Sequence, residues 1–419
     1  MDQTTAEEIA ATNPSAVDPY ALALCPPLDD DADTGLYPIL DPATDTDIQF
    51  EYDTLGADSP TLDVYRPLWE GGTELPTYPA MILVHGGGFS RGCNNHIQRE
   101  AAVAAGVSRD PDPKVPNHLS QKFLVFNINY RMACPDSDTD IPNEIFCGGY
   151  FSTADSSPYD AVDYSPGVHD VEVAVSWVQA HAGEYCPWKP GWEYPCWNGK
   201  IELVGNSSGG NLAFEAAARL SPKTETNTLQ VDAVGSWSGA LRLNVLSTGT
   251  WPCNHLETSK YKRCQSAEIH YIHCAGAGST YPPPTACRPY YKDASPDDPV
   301  SDANTYGIPY LDPGLPRAYF ANGTPDPNST PTGKKEIISL QSALDFEDDL
   351  GTNGWFENGS GDIGAFRFCQ VDEDLHAKTY IYTDPDPAAP PAEHHHCSDE
   401  ADTDSVFEDM VSFLNSAVT

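Results

Sequence analysis

The sequence predicts an α/β fold, a mostly parallel central sheet flanked by helices. The apolar runs Met81 to Val84, Phe123 to Ile128 and Ile201 to Val204 are continuous rather than alternating, as in strands buried on both faces. Segments with helical spacing lie among these runs. In Val168 to Ala182, for example, Val171, Val175 and Val178 share one helical face. Strands that alternate with helices along a chain assemble into a parallel sheet with helices packed on it.

Taken in order, residues 1 to 45 are acidic and proline-rich, and read as an arm or part of a lid. Residues 46 to 419 read as one domain with insertions, which suits a chain of 419 residues. Alternation in Ile48 to Tyr52 and Leu62 to Tyr65 predicts an antiparallel opening pair of strands. Further strands are expected at Ala233 to Trp237, Ala318 to Phe320 and Thr379 to Tyr382. Helices are expected over Leu212 to Leu220 and Ser405 to Ser416, the last with Val406, Met410, Phe413 and Leu414 on its apolar side. Four stretches break the alternation, at about 93–120, 133–165, 184–199 and 240–315, the last cap-like. Rich in Pro, Gly and aromatic residues, they are expected above the carboxyl edge of the sheet, where loops roof a site.

Charge narrows the range of partners. With 62 acidic against 22 basic residues, the formal net charge is -40. Such a surface repels nucleic acid and anionic membranes, and disfavours an anionic substrate. No apolar run reaches the roughly 18 residues that a membrane helix needs, so integral membrane association is not expected. Asp29 to Gly35 and Asp136 to Asp140 have the look of calcium loops but lack the glycine and terminal glutamate of an EF-hand, so they read as solvated acidic loops. Oligomeric state is not legible.

The twelve cysteines form no pair of C-x-x-C units. They cluster as Cys134 with Cys147, Cys186 with Cys196, Cys253 with Cys264, Cys274 with Cys287, and Cys369 with Cys397. Neighbour pairing would staple loops that have little secondary structure of their own, which fits a secreted or periplasmic protein. Met1 to Thr4 shows no signal-peptide pattern, and the cysteines carry the expectation of export.

The chemistry is concentrated in Gly205-Asn206-Ser207-Ser208-Gly209, between the strand ending at Val204 and the helix beginning at Leu212. A strand that turns at once into a helix holds its corner residue in strained geometry. Small residues two positions before and after let the chain cross closely and present the serine hydroxyl. A second motif, His85-Gly86-Gly87-Gly88-Phe89, follows the strand Met81 to Val84. Consecutive glycines let backbone N–H groups face a cavity, as stabilisation of a developing oxyanion requires. His85 itself reads as structural, bonding backbone near the glycine loop.

With these motifs in place, the chain resembles the hormone-sensitive-lipase-like family of α/β-hydrolases across roughly residues 60 to 415. His85 to Phe89 matches the family's HGGGF, Asn129 to Pro135 resembles its YRLAPE segment, and Asp63 to Pro67 its early strand. Asp170 to Trp177 resembles its following helix. Gly205 to Ala213 is similar to GDSAGGNLA, with Asn206 and Ser208 replacing the usual Asp and Ala. Ser208 keeps its backbone N–H, so the resemblance implies oxyanion donors at Gly87, Gly88 and Ser208, with Ser207 as nucleophile. The acid is expected in the loop after the strand at Ala318, at Asp326. The base is expected between the final strand and the closing helix. His396 stands first, since a Cys397–Cys369 link would fix its loop, followed by His395 and then His376; His394 lies in the same tract. His376 qualifies if Phe366 to Val371 is the last strand.

The resemblance implies a serine carboxylesterase that acts on short-chain or aromatic esters, small or polymer-linked, through an acyl-enzyme, with no metal or organic cofactor. A peptidase or amidase on the same scaffold and a non-catalytic binding protein remain the alternatives. Metal binding by the His394 to His396 tract is the weaker reading of that tract. Trp188, Trp192, Tyr194 and Trp197 line an aromatic substrate pocket or, the preferred reading, pack a stapled loop. Asn206-Ser207-Ser208 and Asn322-Gly323-Thr324 are glycosylation sequons at the expected site, where no glycan is expected.

Overall fold

The structure, a computed structural model, describes residues 46–51, 61–67, 76–89, 92–106, 122–130, 166–185, 196–220, 231–241, 317–323, 340–352, 356–357, 365–371 and 406–415. The strands and helices run in the order β1 (Thr46–Glu51), β2 (Thr61–Tyr65), β3 (Tyr78–Val84), α1 (Gln98–Ala105), β4 (Leu124–Ile128), α2 (Pro166–His181), β5 (Trp197–Asn206), α3 (Ser208–Leu220), β6 (Ala233–Trp237), β7 (Arg317–Gly323), α4 (Leu340–Thr352), β8 (Phe356–Glu357), β9 (Ala365–Val371) and α5 (Val406–Asn415). The strands form one nine-stranded sheet in the order β1-β2-β4-β3-β5-β6-β7-β9-β8. Strand β2 runs antiparallel to β1 and β4, and every other pairing is parallel.

Continuous burial explains the continuous apolar runs. All seven residues of β3 and all five of β4 are buried. Alternate side chains serve opposite faces of the sheet. Ile82 and Val84 join Phe126, Leu203, Val175, Leu212, Phe214, Phe320 and Phe346 on the face covered by α2, α3 and α4. Met81 and Leu83 join Val125, Val204, Tyr319, Ala101 to Ala105, Met410 and Leu414 under α1 and α5. Helix α5 is held by more than apolar contact. Asp409 accepts hydrogen bonds from Tyr319 Oη at 2.9 Å and Arg367 at 2.5 Å. The guanidinium groups of Arg317 and Arg367 lie 4.7 and 4.6 Å from the Phe413 ring centroid.

Several expectations differ from the structure in detail. Helix α3 begins at Ser208, four residues before Leu212, because the chain turns into helix directly at the elbow. The 93–120 stretch contains α1, whose residues Ala101 to Ala105 are fully buried beneath the sheet. That part packs as core and does not roof a site. The 184–199 stretch leads into the amino end of β5, where the Cys196 carbonyl accepts from Tyr78 N–H at 2.6 Å at the start of β3. Its end at residues 196–199 therefore lies at the amino edge, opposite the edge expected. Helix α4 is not among the expected elements, although Ala343, Phe346 and Leu350 are buried at helical spacing, and β9 is the strand expected conditionally at Phe366 to Val371. The strand expected at Thr379 to Tyr382 lies outside the described residues.

Cys93, Cys196 and Cys369 are each disulfide-bonded, and among the described residues no cysteine is free. The other members of the expected pairs lie outside the described residues. Among the described residues, no helix is long and apolar enough to cross a membrane.

Candidate active site

Strand β5 delivers Ser207 to the carboxyl edge of the sheet, and α3 starts at the next residue. Ser207 has φ 51°, in the left-handed region that costs an L-residue with a side chain roughly 1–2 kcal/mol. Its backbone is fixed on both sides of the strain. Ser207 N–H donates to the Trp237 carbonyl at the end of β6 at 3.0 Å, and its carbonyl accepts from Gly210 N–H at 3.0 Å. The flanking glycines are required by crowding. A Cβ on Gly205 would lie 2.2 Å from the Gly209 carbonyl oxygen, and one on Gly209 would lie 2.2 Å from that of Val84. This is the close crossing that the spacing of the pentapeptide predicted.

The glycine loop lies against this corner. A Cβ on Gly86 would meet Ser207 Cβ at 2.8 Å and the Asn206 carbonyl oxygen at 3.0 Å. Beyond it, φ is 135° at Gly87, 61° at Gly88 and 62° at Phe89. Gly87 in particular occupies a conformation closed to other residues. Gly87 and Gly88 are the two half-buried residues in an otherwise buried run from His85 to Phe89. Ser208 opens α3, where the first N–H groups of a helix have no intrahelical acceptor and favour negative charge.

His85 is part of the scaffold of this loop. Its imidazole is buried, stacks on Tyr130 with ring centroids 4.4 Å apart, and bonds the Gly86 carbonyl through Nδ1 at 2.7 Å. Because a carbonyl can only accept, Nδ1 carries the proton. Burial holds the ring neutral, pulling its pKa down to about 3 against that hydrogen bond. The Tyr130 hydroxyl donates to the His85 carbonyl at 2.8 Å, so strand β4 supports the loop from the other side.

Of the expected site residues, Ser207, Ser208, Gly87 and Gly88 are described, and the two motifs that carry them meet where Gly86 lies against Ser207. Asp326, His376, His394, His395 and His396 lie outside the described residues. Along the chain, β7 ends at Gly323, three residues before Asp326, and sits two strands from β5. All four histidines fall between β9, which ends at Val371, and α5, which begins at Val406. Trp197 does not line a pocket beside Ser207. It begins β5, about 30 Å of extended strand away, and its indole donates to the Lys200 carbonyl at 3.1 Å. Trp188, Trp192 and Tyr194 lie outside the described residues. Both sequon asparagines are buried, Asn206 at 8% and Asn322 at 2% exposure, which leaves no room for a glycan on the folded chain. Asn94, described below, was missed because a single asparagine between motifs carries no pattern.

No family model and no curated protein matches the chain. Similar solved structures include a truncated form of a carbohydrate esterase from gut microbiota, 16% identical, with TM-score 0.48 over 89% of this chain and 96% of that one. A native form of a thermophilic esterase from the planctomycete Thermogutta terrifontis is 16% identical, with TM-score 0.42 over 78% of this chain and 81% of that one. The same esterase phosphorylated by paraoxon is 15% identical, with TM-score 0.40 over 78% of this chain and 82% of that one.

Proposed function

We propose that the chain is a serine carboxylesterase of α/β-hydrolase type, resembling the hormone-sensitive-lipase-like family. The observation that carries this reading is the pairing of a left-handed serine at a strand-to-helix turn with a glycine loop seated against its Cβ. A strained hydroxyl-bearing residue facing unencumbered backbone amides is suited to acyl transfer and has little purpose as packing.

In this mechanism a histidine accepts the Ser207 hydroxyl proton as Oγ attacks the ester carbonyl carbon. The carbonyl oxygen takes the negative charge and is held by the N–H groups of Gly87, Gly88 and Ser208. Collapse of the intermediate expels the alcohol, which receives the proton from the histidine. Water, deprotonated by the same histidine, then attacks the acyl-enzyme and releases the carboxylic acid and Ser207. Asp326 is the acid that orients the imidazole. The base comes from His396, His395, His394 or His376. β9, Ala365–Val371, is the last strand among the described residues, which supports keeping His376 among the candidates. No metal or organic cofactor takes part.

The substrate class is short-chain or aromatic carboxylic esters, neutral or cationic in view of the net charge of -40. Disulfide bonding of Cys93, Cys196 and Cys369 supports export to an oxidising compartment.

Hydrolysis of p-nitrophenyl acetate by wild type and Ser207→Ala tests the reading, with single alanine variants of His376, His394, His395 and His396 alongside. Loss of turnover in Ser207→Ala and in one histidine variant is expected. Equal rates in wild type and Ser207→Ala would refute the assignment. Activity confined to aminoacyl anilides would point to the peptidase or amidase alternative.

A further inference from the structure

Asn94 begins a short 3₁₀ turn, Asn94–Ile97, five residues past Phe89, and is 1% exposed. It is tied to two strands at once. Its backbone N–H donates to Asn129 Oδ1 at 2.9 Å, and its carbonyl accepts from Asn127 Nδ2 at 2.8 Å. Its side-chain Nδ2 donates to Asp63 Oδ2 on β2 at 2.8 Å, with a longer approach of 3.4 Å to the Asn127 carbonyl. Asn129 is held in turn, donating to Thr61 Oγ1 at 2.9 Å and through its backbone to the Thr61 carbonyl at 2.7 Å. Burial pushes the Asp63 carboxyl up to about 6, opposed by the hydrogen bond from Asn94. A buried polar network of this kind is costly to assemble and fixes one geometry when its members are paired.

Gly92, two residues before Asn94, returns to the start of the glycine motif. Gly92 has φ 103°, and a Cβ on it would lie 2.3 Å from the Gly86 carbonyl oxygen and 2.9 Å from His85 Nδ1. Gly86 and Gly92 therefore lie against each other. The first rests on Ser207, and the second runs two residues on into Asn94. Gly87 and Gly88 have no side chains with which to anchor themselves.

We propose that Asn94, held by Asp63, is a positioning residue that fixes the Gly86 to Gly92 loop against Ser207 and so sets where the Gly87 and Gly88 N–H groups point. The proposal rests on the esterase reading for its kinetic consequence. Donors aimed at an oxyanion act only as charge develops, so misplacing them lowers kcat and leaves KM nearly unchanged.

The test compares Asn94→Ala, Asp63→Ala, Asp63→Asn and the double alanine variant in ester hydrolysis, with amide hydrogen exchange of wild type and each variant. Asn94→Ala is expected to lower kcat about 10- to 100-fold, in the range of a misplaced catalytic group, with KM changed by less than about two-fold. Asp63→Asn keeps an acceptor for the Asn94 amide and should retain most activity, whereas Asp63→Ala should resemble Asn94→Ala. The double variant should be no worse than either single one. Exchange should quicken at residues 86–92 and stay unchanged in α2 and α5. Unchanged kcat with unchanged exchange at 86–92, or a raised KM with normal kcat, overturns the proposal. If Asn94→Ala does not fold, equal kcat in Asp63→Asn and Asp63→Ala overturns it. If wild type hydrolyses no ester, the esterase reading fails, and exchange at 86–92 alone decides whether Asn94 holds the loop.

Discussion

Gly86 and Ser207 touch: a methyl group added to Gly86 would lie 2.8 Å from Ser207 Cβ. The contact joins two motifs separated by 120 residues, and it exists because β3 and β5 are adjacent parallel strands that end level, Val84 opposite Gly205. Gly86→Ala must therefore displace the loop or the serine by a few tenths of an ångström. We expect the variant to fold and to lose about 10- to 100-fold in kcat/KM, since small misplacements at a reacting centre are expensive. Wild-type kinetics in Gly86→Ala would show that the contact has no bearing on catalysis.

Ser207 should be a residue at which stability and activity oppose each other. Its φ of 51° suits glycine, so Ser207→Gly is expected to abolish ester hydrolysis while raising stability by about 1 kcal/mol, read as an increase in Tm. Gly205→Ala and Gly209→Ala are expected to fold poorly, because each Cβ would fall 2.2 Å from a backbone oxygen that cannot move independently. A lower Tm for Ser207→Gly than for wild type would contradict the strain assigned to the elbow.

Glu202, four residues before Asn206 on β5, is fully buried, and among the described residues neither carboxyl oxygen has a hydrogen-bond partner. Burial raises its pKa well above the ordinary carboxylate value, and the nearby Asp232, itself paired with Lys200 at 2.8 Å, raises it further. A carboxyl whose folded pKa is raised contributes stability that is present below its unfolded pKa, about 4.3, and lost as pH rises toward the folded value. Glu202→Gln removes that loss. Its Tm should exceed wild type at pH 8, with the difference shrinking toward pH 4. A difference independent of pH would contradict the raised pKa.

The charge of -40 predicts a salt signature. At low ionic strength kcat/KM for a cationic ester should exceed that for a matched anionic one, and the two should converge as salt screens the field over a Debye length of about 8–10 Å near physiological strength. Equal values for both esters at low salt would contradict steering by net charge.

The strands were legible because burial on both faces leaves continuous apolar runs, and Ala233 to Trp237 was assigned with the bounds of β6. The elbow and the glycine loop were legible because close backbone crossing and positive φ demand glycine at fixed spacing, which few other structures require. Helix α1 was hidden because Ala101 to Ala105 is buried nearly all round and so shows weak periodicity. Helix α4 was hidden by its acidic residues, whereas β9 was legible only as the conditional strand Phe366 to Val371, since Arg367 breaks its apolar run to reach Asp409. Asn94 was beyond sequence reading for a different reason. Its partners Asp63, Asn127 and Asn129 stand 31 to 35 residues away, and only the antiparallel pairing of β2 with β4 brings them together.

The most direct test is reaction of the full chain with a fluorophosphonate, followed by mapping of the modified peptide by mass spectrometry. One adduct is expected, on Ser207, absent in Ser207→Ala and slowed in Asn94→Ala. An unmodified Ser207 in folded protein, or labelling at another residue that persists in Ser207→Ala, would contradict the assignment of Ser207 as nucleophile.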